Sequence, residues 1–150
     1  MTFSLGARSR KAMVGLDPRL IAVIERAIQI TPQDFMVNEG VRTPARQRQL
    51  YAQGRTAPGP IVTWVKVSNH FAAGDGYGKA VDIYPWMNGK PNLSSSPAAM
   101  KAYVDIAKAM FAAAGELGVP LRWGANWDGD GVIREKGETD NPHFEIPKGA

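Results

Sequence analysis

The sequence predicts a single α+β domain over residues 1–150, and three features carry that expectation. Two stretches, 17–30 and 96–118, repeat apolar residues at the helical period behind a capping residue and a proline. Shorter stretches between and after them alternate apolar and polar residues with a period of two, as strands do. A chain of 150 residues, 44% hydrophobic and 21% charged, is long enough to bury one substantial core, and no repeat, low-complexity tract or linker divides it.

In chain order, Asp17 caps the first helix, Pro18 takes its first position, and Leu20, Val23, Ile24, Ala27 and Ile28 form its apolar stripe until Thr31-Pro32 ends it. Asp34 to Arg42 follows as a strand, with Phe35, Val37 and Val41 alternating against Met36, Asn38 and Arg42; Gly40 leaves its far end open. Thr43 caps and Pro44 opens a second helix running to about Gln53. Gly54 to Pro60 reads as a surface loop, Ile61 to Val67 as a short β-branched strand, and Ala72 to Gly78 as a glycine-rich segment before a strand from Lys79 to Tyr84. Asn88-Gly89-Lys90 is a turn. Ser96 then caps the longest helix, whose Met100, Tyr103, Val104, Ala107, Met110, Phe111 and Ala114 are expected to be buried, and Gly115 to Gly118 closes it. Trp123 to Gly137 reads as irregular, and His143 to Ile146 as the last strand.

The net charge of +4 and a pI near 9.5 favour anionic partners. The one local basic cluster, Arg8-Ser9-Arg10-Lys11, sits at a terminus, so nucleic-acid binding is set aside. Without cysteine there is no disulfide framework and no thiolate metal site, which leaves His with Asp or Glu as the only strong ligands. No apolar stretch is long enough to span a bilayer, and Met1 to Gly6 lacks the pattern of a secretory signal. The product is therefore expected to be made in a cytoplasm and to need another agent to let it out.

The chain has only two histidines, His70 and His143. Two imidazoles and a carboxylate brought together by folding would hold a zinc ion and leave one position open for water. Around Asp82, strand alternation points Val81 and Ile83 into the core and puts Gly78, Ala80, Asp82 and Tyr84 on the other face, where the small residues leave room for metal and substrate. On the last strand, Phe144 and Ile146 face the core and His143 and Glu145 the opposite side. Pro142 favours a bend that would turn Asp140 back towards the metal. Taken singly, each histidine is as readily a core or surface residue; the shared setting with Asp82 and Asp140 is what points to zinc.

Ser68-x-His70, then Gly78-x-Ala80-x-Asp82, then Asp140-x-x-His143 resembles the signature of the LAS-type zinc peptidases, a group with lysostaphin-like enzymes, D-Ala-D-Ala peptidases and the hedgehog signalling domain. Within it the chain is most similar to phage endolysins of the L-alanyl-D-glutamate peptidase type. The similarity extends to Asp34-Phe35, Gly40-Val41-Arg42-Thr43, Asn88-Gly89-Lys90 and Trp123-Gly124-Ala125-Asn126-Trp127, and so covers most of the chain. The resemblance implies a small antiparallel sheet flanked by helices, of the hedgehog/D-Ala-D-Ala-peptidase type. It implies His70, Asp82 and His143 as zinc ligands, Asp140 as general base and Arg42 as the group that stabilises the oxyanion. The gap between His70 and Asp82 is longer than the family's. The extra residues fall within Phe71 to Tyr77 and bring in Asp75 as a rival ligand; Asp82 is preferred because it alone stands in the Gly-x-Ala-x-Asp setting.

The expected activity is hydrolysis of the peptidoglycan stem peptide between L-Ala and D-Glu, by a monomer that reaches a thin cell wall through a holin pore and lyses the host. The alternatives are a D,D-carboxypeptidase or D-Ala-D-Ala dipeptidase, and a non-catalytic zinc-bearing binding module. Some residues keep two readings. Arg42 could pair with Glu39, Ser68 could be a turn serine, and Trp123 and Trp127 suit either a peptide groove or the core. Asn126-x-Asp128-x-Asp130-Gly131, with Glu135 or Glu138 to close it, has the spacing of a calcium loop, although neither glutamate stands at the twelfth position and an acidic glycine turn is the simpler reading.

Overall fold

A computed structural model describes residues 3–40, 49, 52–53, 55–56, 77–94, 96–124 and 141–147. The expected second helix and the strand at 61–67 lie outside them, except that Gln49 and Ala52 are helical. The described elements are α1 (Ala7–Ala12), α2 (Pro18–Ile30), β1 (Phe35–Glu39), β2 (Ala80–Met87), β3 (Lys90–Pro91), α3 (Pro97–Leu117), β4 (Arg122–Trp123) and β5 (His143–Glu145). Among the described residues the strands form one sheet in the order β1-β2-β5-β4, with β3 on β2, and every pair is antiparallel. This is the α+β architecture that the sequence predicts.

The sheet divides the molecule into two sides. Phe35, Val37, Val81, Ile83, Phe144 and Ile146 point to one face and join Leu20, Val23, Ile24, Tyr103, Ile106 and Met110 of α2 and α3 in a single core. Ala80, Asp82, Tyr84, His143 and Glu145 alternate onto the other face. That face is far from bare, since Ala80, His143 and Glu145 are buried as well. Met36, expected opposite the core on the open side of β1, is also buried.

Helix α2 starts as its sequence requires. The Asp17 side chain accepts from the Arg19 backbone N–H at 2.8 Å, and Pro18 occupies the first turn. Asp17 does more than cap. Its Oδ2 accepts from Lys79 Nζ at 2.7 Å and from Arg19 Nη2 at 3.0 Å, and its backbone N–H donates to Gly78 O at 2.9 Å. One buried carboxylate thus ties the start of α2 to the start of the strand that carries Asp82. The Arg19 hydrogen bonds outweigh burial and, with Lys79, hold the Asp17 carboxyl well below the usual range. A carboxylate depressed by folding stabilises above its unfolded pKa of about 4, and that stability is lost as the pH falls below it. Asp17→Ala is expected to lower the unfolding free energy by about 2–4 kcal/mol in urea titrations at neutral pH, and the gap to the parent chain should narrow in acid. An unchanged unfolding midpoint would show that Asp17 holds nothing together.

Helix α3 also keeps its expected ends: Ser96 Oγ accepts from Ala99 N at 3.2 Å, and Gly118 adopts the left-handed conformation at φ 67°. Its buried stripe is wider than the expected one. Tyr103, Ala107, Met110 and Ala114 are buried as expected, and Ala99, Ala102, Ile106, Ala109 and Ala113 are buried as well. Phe111, by contrast, is 41% exposed, and Met100 and Val104 are only partly covered. Most of these buried positions are alanines, whose short side chains let packed elements approach closely. A reading that weights large apolar residues misses such a face.

Three further features depart from the sequence reading. The basic cluster lies on α1, where Ser9 is buried and its Oγ accepts from Val37 N at 3.0 Å while Arg8 Nη2 donates to Asn38 Oδ1 at 3.0 Å. A short helix therefore covers the outer edge of β1. Gly40 packs so closely that a Cβ there would lie 2.2 Å from the Ala12 carbonyl oxygen, so the residue after β1 must be glycine. Finally, β2 continues past Tyr84 through Pro85 to Met87. Period-two alternation places the missing Pro85 N–H on the edge of β2 where Ile83 N donates to Pro142 O. On that edge β2 passes from β5 to β3: Asn92 N donates to Pro85 O at 2.8 Å, and the Asn92 carbonyl opposite the missing N–H accepts instead from the Tyr103 hydroxyl at 3.3 Å. The Asn88-Gly89 turn, with φ 55° and 77°, then returns the chain as a type I′ hairpin.

Candidate active site

Asp82 and His143 are direct cross-strand partners of β2 and β5. The adjoining backbone bonds, Ile83 N to Pro142 O at 2.9 Å and Ile146 N to Lys79 O at 2.8 Å, make 82/143 a non-hydrogen-bonded pair, the class in which facing side chains stand closest. His143 Nδ1 lies 3.5 Å from Asp82 Oδ1, longer than an ordinary hydrogen bond but close enough for both atoms to contact one ion. Ala80, on the same face one pleat away, keeps the neighbourhood small. On the other side of Asp82 the register with β1 slips between Val37 and Glu39, so that Asn38 is an extra residue facing β2. Such bulges bend a strand and re-aim its side chains; this one begins where the chain heads towards Arg42.

The structure therefore brings together two of the residues read from the sequence as zinc ligands. His70 lies outside the described residues, as do Asp140, Arg42, Ser68 and Asp75, and so do Asn126, Asp128, Asp130, Glu135 and Glu138 of the possible calcium loop. Among the described residues, no group of three or more His, Cys, Asp or Glu is arranged to hold a metal. An imidazole nitrogen beside a carboxylate oxygen on a half-buried strand pair is nonetheless a donor set that suits zinc. Trp123, one of the two tryptophans with a dual reading, belongs to the core. It is buried, stacks on Phe144 with ring centroids 6.1 Å apart, and donates from Nε1 to Asn141 O at 2.7 Å. Trp127 lies outside the described residues. The Trp123 bond fixes the backbone just after Asp140, so that tryptophan serves the site through the loop rather than through a groove.

Two residues of the site were not singled out in the sequence. Glu145 is buried, and its Oε1 lies 2.7 Å from His143 Nε2 while its Oε2 accepts from Arg122 Nη2 at 2.6 Å. Burial pushes the Glu145 carboxyl up, but His143 and Arg122 more than offset it and hold the group down to about 2. Alternation from His143 already placed Glu145 on the site face. Arg122 gave no such signal, because it lies in a two-residue strand at the start of a stretch that reads as irregular.

Comparison with known proteins identifies relatives over almost the whole chain. Residues 1–146 match the family model described as phage L-alanyl-D-glutamate peptidase. The chain is 31% identical over 149 residues to the L-alanyl-D-glutamate peptidase of Escherichia phage T5, covering 97% of this chain and 99% of that protein. Its fold is similar to the crystal structure of the Serratia marcescens L-Ala D-Glu endopeptidase ChiX, with a TM-score of 0.71, 28% identity, and coverage of 96% of this chain and 90% of that one.

Proposed function

The chain belongs to the phage L-alanyl-D-glutamate peptidase family, and we propose that within it His70, Asp82 and His143 hold a catalytic zinc ion. The protein is an endolysin that hydrolyses the bond between L-Ala and D-Glu in the peptidoglycan stem peptide. The observation that supports the metal is the 3.5 Å apposition of His143 Nδ1 and Asp82 Oδ1 across a non-hydrogen-bonded strand pair. Among the described residues no helix is long and apolar enough to cross a membrane. The enzyme acts on the cell wall as a monomer that leaves the host cytoplasm through a holin pore.

When bound, zinc supplies a Lewis acid that acidifies water and polarises the scissile carbonyl. The protein's own residues do the rest. A carboxylate oxygen of Asp140 takes the proton of the attacking water and hands it to the leaving amine nitrogen. The Arg42 guanidinium donates to the carbonyl oxygen as negative charge builds on it. Asp82 and His143 sit on paired strands backed by the core, so their positions cost little reorganisation during the reaction.

Muropeptide analysis tests the assignment. Digests of purified peptidoglycan should contain stem peptides with a new amino-terminal D-Glu; a chelator should abolish them, and added zinc should restore them. Release of terminal D-Ala alone would make the enzyme a D,D-peptidase, and products indifferent to the chelator would remove the metal from the mechanism.

A further inference from the structure

We infer that Glu145, held by Arg122, is a positioning residue that keeps the His143 proton on Nε2 and so presents the bare Nδ1 to the metal. This inference rests on the metal reading of the site, which it deepens. The geometry runs in one line along the face of the sheet. Arg122 and Glu145 are cross-strand partners of β4 and β5, and His143 stands two residues from Glu145 on the same face. Arg122 Nη2 donates to Glu145 Oε2 at 2.6 Å, and Glu145 Oε1 lies 2.7 Å from His143 Nε2. Glu145 and His143 are both buried.

An ionised carboxylate only accepts, so the ring nitrogen facing it must donate. A neutral imidazole carries one proton, and with that proton on Nε2 the lone pair lies on Nδ1. Nδ1 is the nitrogen that faces Asp82 Oδ1 at 3.5 Å. Without Glu145, the ring would be free to put its proton on Nδ1, towards the Asp82 carboxylate, in the place a cation would take. Arg122 matters because it only donates, and therefore dictates which atom of its neighbour turns towards it.

This makes an isosteric change informative. In Glu145→Gln the amide oxygen should turn to Arg122, leaving the amide N–H₂ to face His143 Nε2. The ring must then accept at Nε2 and carry its proton on Nδ1, in the wrong tautomer for the metal. A residue that merely filled space would tolerate the amide.

The test is nitrogen-15 NMR of the histidine ring in the metal-free protein, above the pH at which the ring titrates, together with zinc affinity from chelator competition. The wild-type His143 should be the Nε2–H tautomer. Glu145→Gln should shift it to Nδ1–H and weaken zinc binding by about 10- to 100-fold. The double variant Glu145→Gln with Arg122→Met, in which the amide can turn its oxygen back to the ring, should recover Nε2–H. An Nδ1–H wild-type ring, or Glu145→Gln with the wild-type tautomer and affinity, would overturn the inference. The wild-type tautomer is decisive even if a variant fails to fold. Absence of zinc binding by a wild-type protein with the Nε2–H ring would count against the metal reading and leave the clamp standing.

Discussion

Alanine at position 82 is expected to remove zinc and activity together, whereas alanine at position 75 should leave both in place. The metal is asked to supply several kcal/mol of transition-state stabilisation, and each 1.4 kcal/mol or so is worth a factor of ten. Asp82→Ala should therefore lower the rate of stem-peptide cleavage by about a thousandfold or more. Metal content after dialysis against trace zinc, measured beside turnover, reads both effects at once. The two aspartates differ in setting. Asp82 lies on a paired strand, faces His143 in register and has Ala80 beside it on the same face. Asp75 lies in the sequence stretch that lengthens the gap after His70. Zinc lost from Asp75→Ala and retained by Asp82→Ala would reverse the ligand assignment.

The second large effect should separate metal binding from chemistry. Asp140→Ala should keep its zinc and lose turnover by about two to four orders of magnitude, the usual contribution of a positioned acid–base group. The adjoining residues fix where the chain leaves Asp140. Asn141 is buried and its carbonyl accepts from Trp123 Nε1, while the Pro142 carbonyl accepts from Ile83 N. Asn141 and Pro142, which follow Asp140 in the chain, are thus pinned to β4 and β2. Full lytic activity in a zinc-loaded Asp140→Ala protein would show that the proton goes elsewhere.

Much of this was legible in the residues. Asp17-Pro18 and Ser96-Pro97 mark two helix starts by local chemistry alone, and Gly118 and Asn88-Gly89 mark a stop and a turn by their positive φ. Alternation along 80–83 and 143–146 separated the core face from the face that carries Asp82 and His143. Other features depend on what lies nearby in space. Phe111 looks like a core residue until the buried side of α3 is seen to consist largely of alanines. Pro85 looks like a strand breaker until the Tyr103 hydroxyl is seen to donate to Asn92 O, the carbonyl opposite the missing N–H. Trp123 suits a groove as well as a core until it stacks on Phe144.

The sequence by itself determined the elements that local rules specify and the faces of two strands, and it supplied a short roster of candidates for metal binding and acid–base work. It did so because capping, turn conformation and side-chain alternation act over a few residues. Only the tertiary structure decided that Asp82 faces His143, that a bulge at Asn38 stands opposite the strand of Asp82, and that Arg122 grips Glu145 behind the histidine. Those relations join residues far apart in the chain through strand register, and register is set by the packing of the whole sheet rather than by any stretch within it.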